Sequence, residues 1–111
     1  MNARRLRIYL GERDKDPRGH VLHETIIHEA HRRGLAGATV LRAIAGFSGA
    51  GQVHTAKILR LSDDLPLVVE IVDAADNLDG FVAWLREVVT DGLVTVEDVE
   101  VLITPAADSG Q

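Results

Sequence analysis

Three groups of residues in this sequence have the types and spacing to do chemistry. Glu24, His28 and His31 stand at i, i+4 and i+7, which places a carboxylate and two imidazoles on one face of a helix, a set that can meet a Zn²⁺ or similar ion. The pattern is not His-Glu-x-x-His, because His28 and His31 are three apart. That face lies opposite an apolar stripe, so an ordinary solvated face is the simpler account and metal binding is the alternative. The second group is Gly46, Gly49 and Gly51, whose backbone N–H groups a ligand can approach without side chains in the way. His54, Lys57 and Arg60 follow and can neutralise an anion held there. The third is Asp63-Asp64, which could hold a divalent ion but stands in Ser-Asp-Asp-Leu-Pro66, ordinary turn chemistry. None of these amounts to a catalytic set. The chain has no cysteine, Ser48, Ser62 and Ser109 lack a sequence-level base or oxyanion context, and the carboxylates are dispersed. The expectation is a binding protein, not an enzyme.

Composition narrows the class further. At 111 residues the chain makes one domain, with a core sufficient without disulfides. The domain is expected over residues 1–104, with 105–111 as a flexible tail. Absence of cysteine rules out thiol chemistry and suits a cytoplasmic protein. No apolar run approaches the ~20 residues that span a bilayer, and Met-Asn-Ala-Arg-Arg-Leu-Arg has no signal-peptide character. Twelve Lys and Arg against seventeen Asp and Glu leave a net charge of -5, which disfavours nucleic acid and anionic lipid as partners.

The elements that must position these groups follow from periodicity. Leu6, Ile8 and Leu10 alternate with Arg5, Arg7 and Tyr9 in a half-buried first strand. Asp16-Pro17 delays the next helix, which is expected from about His20 to Arg33 on the stripe Leu22, Ile26 and Ala30 and is stopped by Gly34. Ala38 to Ala45 reads as a second strand. Val53 to Leu61 is expected to be a loop with a short extended part. Leu67-Val-Val-Glu-Ile-Val72 is the strongest strand by β-branched content. Asp76 is the expected N-cap of a second helix carrying Leu78, Phe81, Val82, Leu85, Val88 and Val89. Leu93 to Ile103 forms the last strand.

This order gives an α+β, ferredoxin-like βαββαβ fold, with a four-stranded antiparallel sheet, two helices on one face and a glycine-rich connection between strands two and three. Two helices cover only one face. Since the second and third strands are apolar on both sides, the bare face is expected to be covered by another subunit.

The residues also resemble a known family. Gly34-Leu-Ala-Gly-Ala-Thr-Val followed by Ala-Gly-Phe-Ser-Gly49 is similar to the strand that runs into the flexible T-loop of PII-type signal-transduction proteins. Leu-Arg-Ile-Tyr-Leu-Gly-Glu12, His54-Thr-Ala-Lys-Ile-Leu-Arg-Leu-Ser-Asp-Asp-Leu-Pro66 and Glu70-Ile-Val-Asp73 add a closer similarity to the PII-like family called domain of unknown function 190, from Leu6 to about Val101. The resemblance implies a homotrimer with sheets facing inward and with lateral clefts that take a small anionic effector, an adenine nucleotide in PII-type relatives. It places Thr39 and Gly46 beside that ligand, with Gly37 as backbone support. Gly49, Lys57 and Arg60 complete the expected ligand-binding set, and no cofactor is required. Thr90-Asp-Gly-Leu93 lacks the glycine-rich, lysine-bearing phosphate loop of PII, so a mono- or dinucleotide is expected ahead of ATP. The Gly46 to His54 loop is the expected signalling element. The family's gene association with fluoride export implies a membrane transporter or other protein target. The alternative is a metal-binding or metal-tolerance protein of the same trimeric fold, using Glu24, His28 and His31.

Overall fold

The structure is a computed structural model that describes residues 2–47, 53–55 and 64–106. In chain order the elements are β1 (Asn2–Gly11), α1 (Leu22–Arg32), β2 (Gly37–Arg42), β3 (Ala45–Gly46), β4 (His54–Thr55), β5 (Pro66–Ala74), α2 (Ala75–Val88) and β6 (Leu93–Glu100). The main sheet has the order β2-β5-β1-β6, and every neighbouring pair is antiparallel. β3 and β4 form a separate two-stranded ladder. With that ladder set aside, this is the ferredoxin-like α+β arrangement read from the sequence.

Register explains where the core lies. Leu6 stands opposite Ile71, Ile8 opposite Val69 and Leu10 opposite Leu67, so one face of the two central strands is a continuous apolar surface. α1 lays Leu22, Ile26 and Ala30 on it, and α2 lays Leu78, Phe81 and Leu85. Phe81 is fully buried, its ring centroid 5.4 Å from that of Trp84. The Arg33 guanidinium lies 5.9 Å over the Phe81 ring and closes the core where α1 ends.

The ends of α1 show how local sequence sets an element. The helix begins at Leu22, two residues later than its apolar pattern suggests, because Asp16 holds the preceding turn closed. The buried Asp16 carboxylate accepts bonds from the backbone N–H of Arg18 and His20 and from the Thr25 hydroxyl, at 2.8, 3.0 and 2.7 Å. At the other end Gly34 takes φ +70°, while its N–H bonds the His31 carbonyl and the Leu35 N–H bonds the Ala30 carbonyl. This paired closure needs a left-handed residue that a Cβ disfavours.

Three boundaries differ from the sequence reading. The expected strand from Ala38 to Ala45 is broken after Arg42. Ala43 N–H still donates to the Pro66 carbonyl at 2.8 Å, but Pro66 has no N–H to return the bond, so the ladder cannot continue. Asp76 lies inside the first turn of α2 and is not its cap; Asp73 binds that end instead, accepting from the Ala74 N–H and the Asn77 side chain. The last strand stops at Glu100 instead of Ile103, because its partner β1 begins at Asn2, opposite Glu100. Of the expected loop from Val53 to Leu61, His54–Thr55 is strand and residues 56–61 lie outside the described residues.

The uncovered face of the sheet is banded. One row across it reads Leu41, Val68, Tyr9, Leu93, and the next reads Thr39, Glu70, Arg7, Thr95. Arg7 Nε donates to Glu70 at 2.9 Å, and Arg5 bonds Glu97 at 2.6 Å in the row beyond. An apolar stripe therefore borders two rows of ion pairs.

Candidate functional site

Gly37 and Thr39 lie on β2, an edge strand, with Thr39 exposed on the open face in the Arg7–Glu70 row. Gly46 lies in the β3–β4 ladder, paired with His54. It has φ +156°, and a Cβ there would come within 3.3 Å of Pro66 Cγ, so both backbone shape and close approach call for glycine. Thr39 is level with Glu70 and Gly46 lies against Pro66, four residues apart along β5, or about 13 Å at strand rise. One chain thus sets these residues along a single edge and does not gather them into a pocket. Gly49, Lys57 and Arg60 lie outside the described residues.

The foot of the segment between β2 and β5 is tied down from three sides. Glu12 N–H donates to the Leu65 carbonyl at 2.9 Å and Arg13 N–H to the Asp64 carboxylate at 2.8 Å. Arg42, the last residue of β2, is ion-paired with Glu12 at the end of β1.

Two hollows mark other parts of the surface. The larger, about 490 Å³, runs between α2 and β6 over Leu78, Val82, Leu85, Val94 and Val96, with Arg86 on its rim. The smaller, about 390 Å³, lies along α1 and is lined by His20, Glu24, Thr25, His28 and Arg32. Glu24 and His28 therefore share a hollow whose lining does not include His31. Among the described residues no three His, Cys, Asp or Glu side chains group closely enough to hold a metal ion. Glu29, on the same helix, is bound by Arg32 and Arg33. The Arg32 hydrogen bond, more than the Arg33 one, lowers its carboxyl to about 2.

Comparison with known proteins gives the family and the fold. The DUF190 family profile, described as Uncharacterized ACR, matches residues 3–101. The chain belongs to the DUF190 family. This DUF190 chain is 38% identical over 97 residues to a UPF0166 protein of Aquifex aeolicus, covering 87% of this chain and 90% of that one. It is 36% identical over 102 residues to a UPF0166 protein of Methanocaldococcus jannaschii, covering 91% and 93%. Its fold is similar to that of CPII, a nitrogen regulatory PII-like protein from Thiomonas intermedia K12 whose structure was solved bound to ADP, AMP and bicarbonate. The TM-score is 0.61 at 20% identity, over 91% of this chain and 89% of that one. Among the described residues no helix is long and apolar enough to cross a membrane.

Sequence reasoning missed one residue that holds the start of β2 in this DUF190 chain. The buried Asp73 carboxylate accepts the Ala36 N–H at 2.8 Å as well as the Ala74 N–H and Asn77 amide. It therefore pins the start of β2, where Gly37 and Thr39 follow, to the β5–α2 junction. A signal was available: Leu67, Val69, Ile71 and Asp73 share one alternation phase, so Asp73 points where a polar group must find partners.

Proposed function

We propose that this chain is a non-enzymatic PII-like regulatory protein, a homotrimer that binds a small anionic effector in the clefts between subunits and signals through its Gly46 to His54 loop. The observation that carries the reading is the fold shared with a PII-like protein solved with ADP, AMP and bicarbonate. Two features of this chain support it. Thr39 is exposed on an edge strand, with a hydroxyl able to donate to and accept from an adenine edge or a ribose. Gly46 stands at the foot of the loop, where its positive φ and its approach to Pro66 favour glycine. The spread of these residues along one edge favours a site completed by a second surface, as a cleft between subunits provides. Lys57 and Arg60 would counter the charge of the effector, and Gly49 would keep the loop backbone open to it.

The α2–β6 turn carries neither a lysine nor a run of glycines, so a mono- or dinucleotide is the effector and ATP binds less well. The target of the loop is another protein, with an ion transporter the class that the family resemblance implies. A thermal-shift panel of AMP, ADP, ATP, cyclic dinucleotides and bicarbonate tests the reading. A ligand at 100 times its Kd adds about 2.7 kcal/mol, several degrees in a domain of this size, and Thr39→Val reduces the shift. No shift with any of them, or a shift that Thr39→Val leaves unchanged, sinks the assignment.

A further inference from the structure

We propose that Arg42 binds the phosphate of the effector and that Glu12 is its counter-ion in the empty site. The phosphate takes the place of the Glu12 carboxylate on the Arg42 guanidinium, and this exchange releases a tie at the foot of the segment between β2 and β5. The inference deepens the effector reading above and rests on it.

Placement singles out Arg42. From Gly37 to Gly46 the sequence holds one charged residue, and it stands at the end of β2, level with Leu67. The Ala43 N–H next to it donates to the Pro66 carbonyl, and Gly46 lies against the same proline, where a Cβ would come within 3.3 Å of Pro66 Cγ. Pro66 therefore keeps the end of β2 and Gly46 side by side. Thr39 is three residues back along β2, or about 10 Å at strand rise. One end of this stretch offers a hydroxyl that can pair with a base or a ribose, and the other a guanidinium that can pair with an oxyanion. A nucleotide laid along the strand presents its groups in that order. Alternation sends Thr39 and Arg42 to opposite faces, so a ligand that reaches both runs along the outer edge of β2, the first strand of the main sheet.

The other arginines near Thr39 are less free to exchange partners. Arg7, in the same row as Thr39, is held by Glu70 at 2.9 Å and by Glu97 at 3.3 Å, with its side chain 35% exposed. The Arg42 side chain is 63% exposed and is paired with Glu12 alone among the described residues. An ion pair this open to water contributes little to stability, so replacing its carboxylate with another oxyanion is close to balanced. The planar guanidinium also takes a phosphate through two parallel N–H···O bonds, as it takes a carboxylate.

The neighbourhood limits how much charge the ligand brings. Asp14 accepts the Gly11 N–H at 2.9 Å, Asp64 accepts the Arg13 N–H at 2.8 Å, and oxygens of both carboxylates lie 3.0 Å from where a Gly11 Cβ would stand. Together with Glu12 they put three carboxylates around the end of β1. Like charges brought together oppose binding, so each further phosphate meets more repulsion. This favours AMP and ADP over ATP for a reason separate from the composition of the α2–β6 turn.

The exchange also gives occupancy a way to reach the loop. Three contacts tie the foot of the segment: the Ala43–Pro66 and Glu12–Leu65 backbone bonds and the Arg42–Glu12 ion pair. Phosphate binding removes the third and leaves the other two. The end of β2 is then no longer held to the end of β1 by side chains, while the backbone anchors keep the sheet intact.

The test is calorimetric titration of the full chain with AMP, ADP and inorganic phosphate, for wild type, Arg42→Gln, Glu12→Gln and the double variant. Arg42 is exposed, so the variants fold, and circular dichroism checks it. Arg42→Gln weakens AMP and ADP about tenfold, the loss of a charged hydrogen-bonding partner. Glu12→Gln tightens them about threefold, because the guanidinium no longer has to leave an ion pair. Damage to the fold cannot produce a gain of that kind. The double variant binds like Arg42→Gln alone, since the gain acts through Arg42. Unchanged affinity in Arg42→Gln, no gain in Glu12→Gln, or a gain that persists in the double variant overturns this inference, while wild-type nucleotide binding keeps the effector reading. A wild type that binds none of the three overturns both. Phosphate binding that Arg42→Gln abolishes, with no binding of AMP or ADP, removes the nucleotide and leaves the exchange at Arg42 standing.

Discussion

The two faces of the four-stranded sheet are made by the same strands in the same registers, yet they are different surfaces. On the helix side Leu6, Ile8, Leu10, Val69 and Ile71 are at most 2% exposed, and the apolar groups run unbroken from strand to strand. On the open side Tyr9 and Val68 are half-buried, Leu41 and Leu93 are about as exposed as they are covered, and the next row is Thr39, Glu70, Arg7 and Thr95. The expectation that the second and third strands are apolar on both sides came from reading β2 and β5 one at a time. Register shows that the polar residues of β1 and β6 complete the rows. A face built as an apolar band beside ion pairs suits a partly wet interface between subunits more than a second core.

Substitutions can break this comparison in order of size. Val69→Asp has the largest effect: the side chain is fully buried among the helices, and an unpaired carboxylate there costs at least about 4 kcal/mol. Circular dichroism should show an unfolded chain, and a folded one would mean that the faces have been assigned the wrong way round. Val68→Asp, one residue away on the open face, should leave the melting of the single chain within about 1 kcal/mol while light scattering shows loss of the oligomer. An oligomer of unchanged mass would show that this row stays in water. Acid has the smallest effect. Glu29 on the helix side is lowered to about 2, first by Arg32, Asp16 is lowered by its Thr25 bond, and Glu97 on the open face is lowered by Arg5. A carboxyl that is more acidic folded than unfolded stabilises above its unfolded value and loses that stabilisation as pH falls toward the folded one. Stability should therefore decline from about pH 4.5 toward 2. Glu29→Gln should flatten the decline more than Glu97→Gln, and an equal response of the two variants would mean that the helix-side cluster has no special hold.

The fold was legible because its signals are local and redundant: alternation in β1 and β5, the stripe of Leu22, Ile26 and Ala30, and the glycine stop at Gly34. What was not legible depended on pairing between distant residues. The end of β2 is decided by Pro66 across the ladder, and the end of β6 by where β1 begins. The residue that binds the start of α2, Asp73, is counted among strand residues. The candidate site was legible only as residue types. Gly37, Thr39 and Gly46 do fall on one edge, but periodicity says nothing of the about 13 Å between Thr39 and Gly46. The α2–β6 groove left no mark in the sequence, where Val94 and Val96 stand among the apolar residues of the expected last strand.

The ties at the foot of the segment between β2 and β5 have an evolutionary consequence. The Ala43–Pro66, Glu12–Leu65 and Arg42–Glu12 contacts fix both ends of the excursion independently of what lies between them. Closing a longer excursion costs only about 0.6 kcal/mol for each doubling of its length. A change in the length of the intervening stretch would therefore leave the sheet beneath it held by the same contacts.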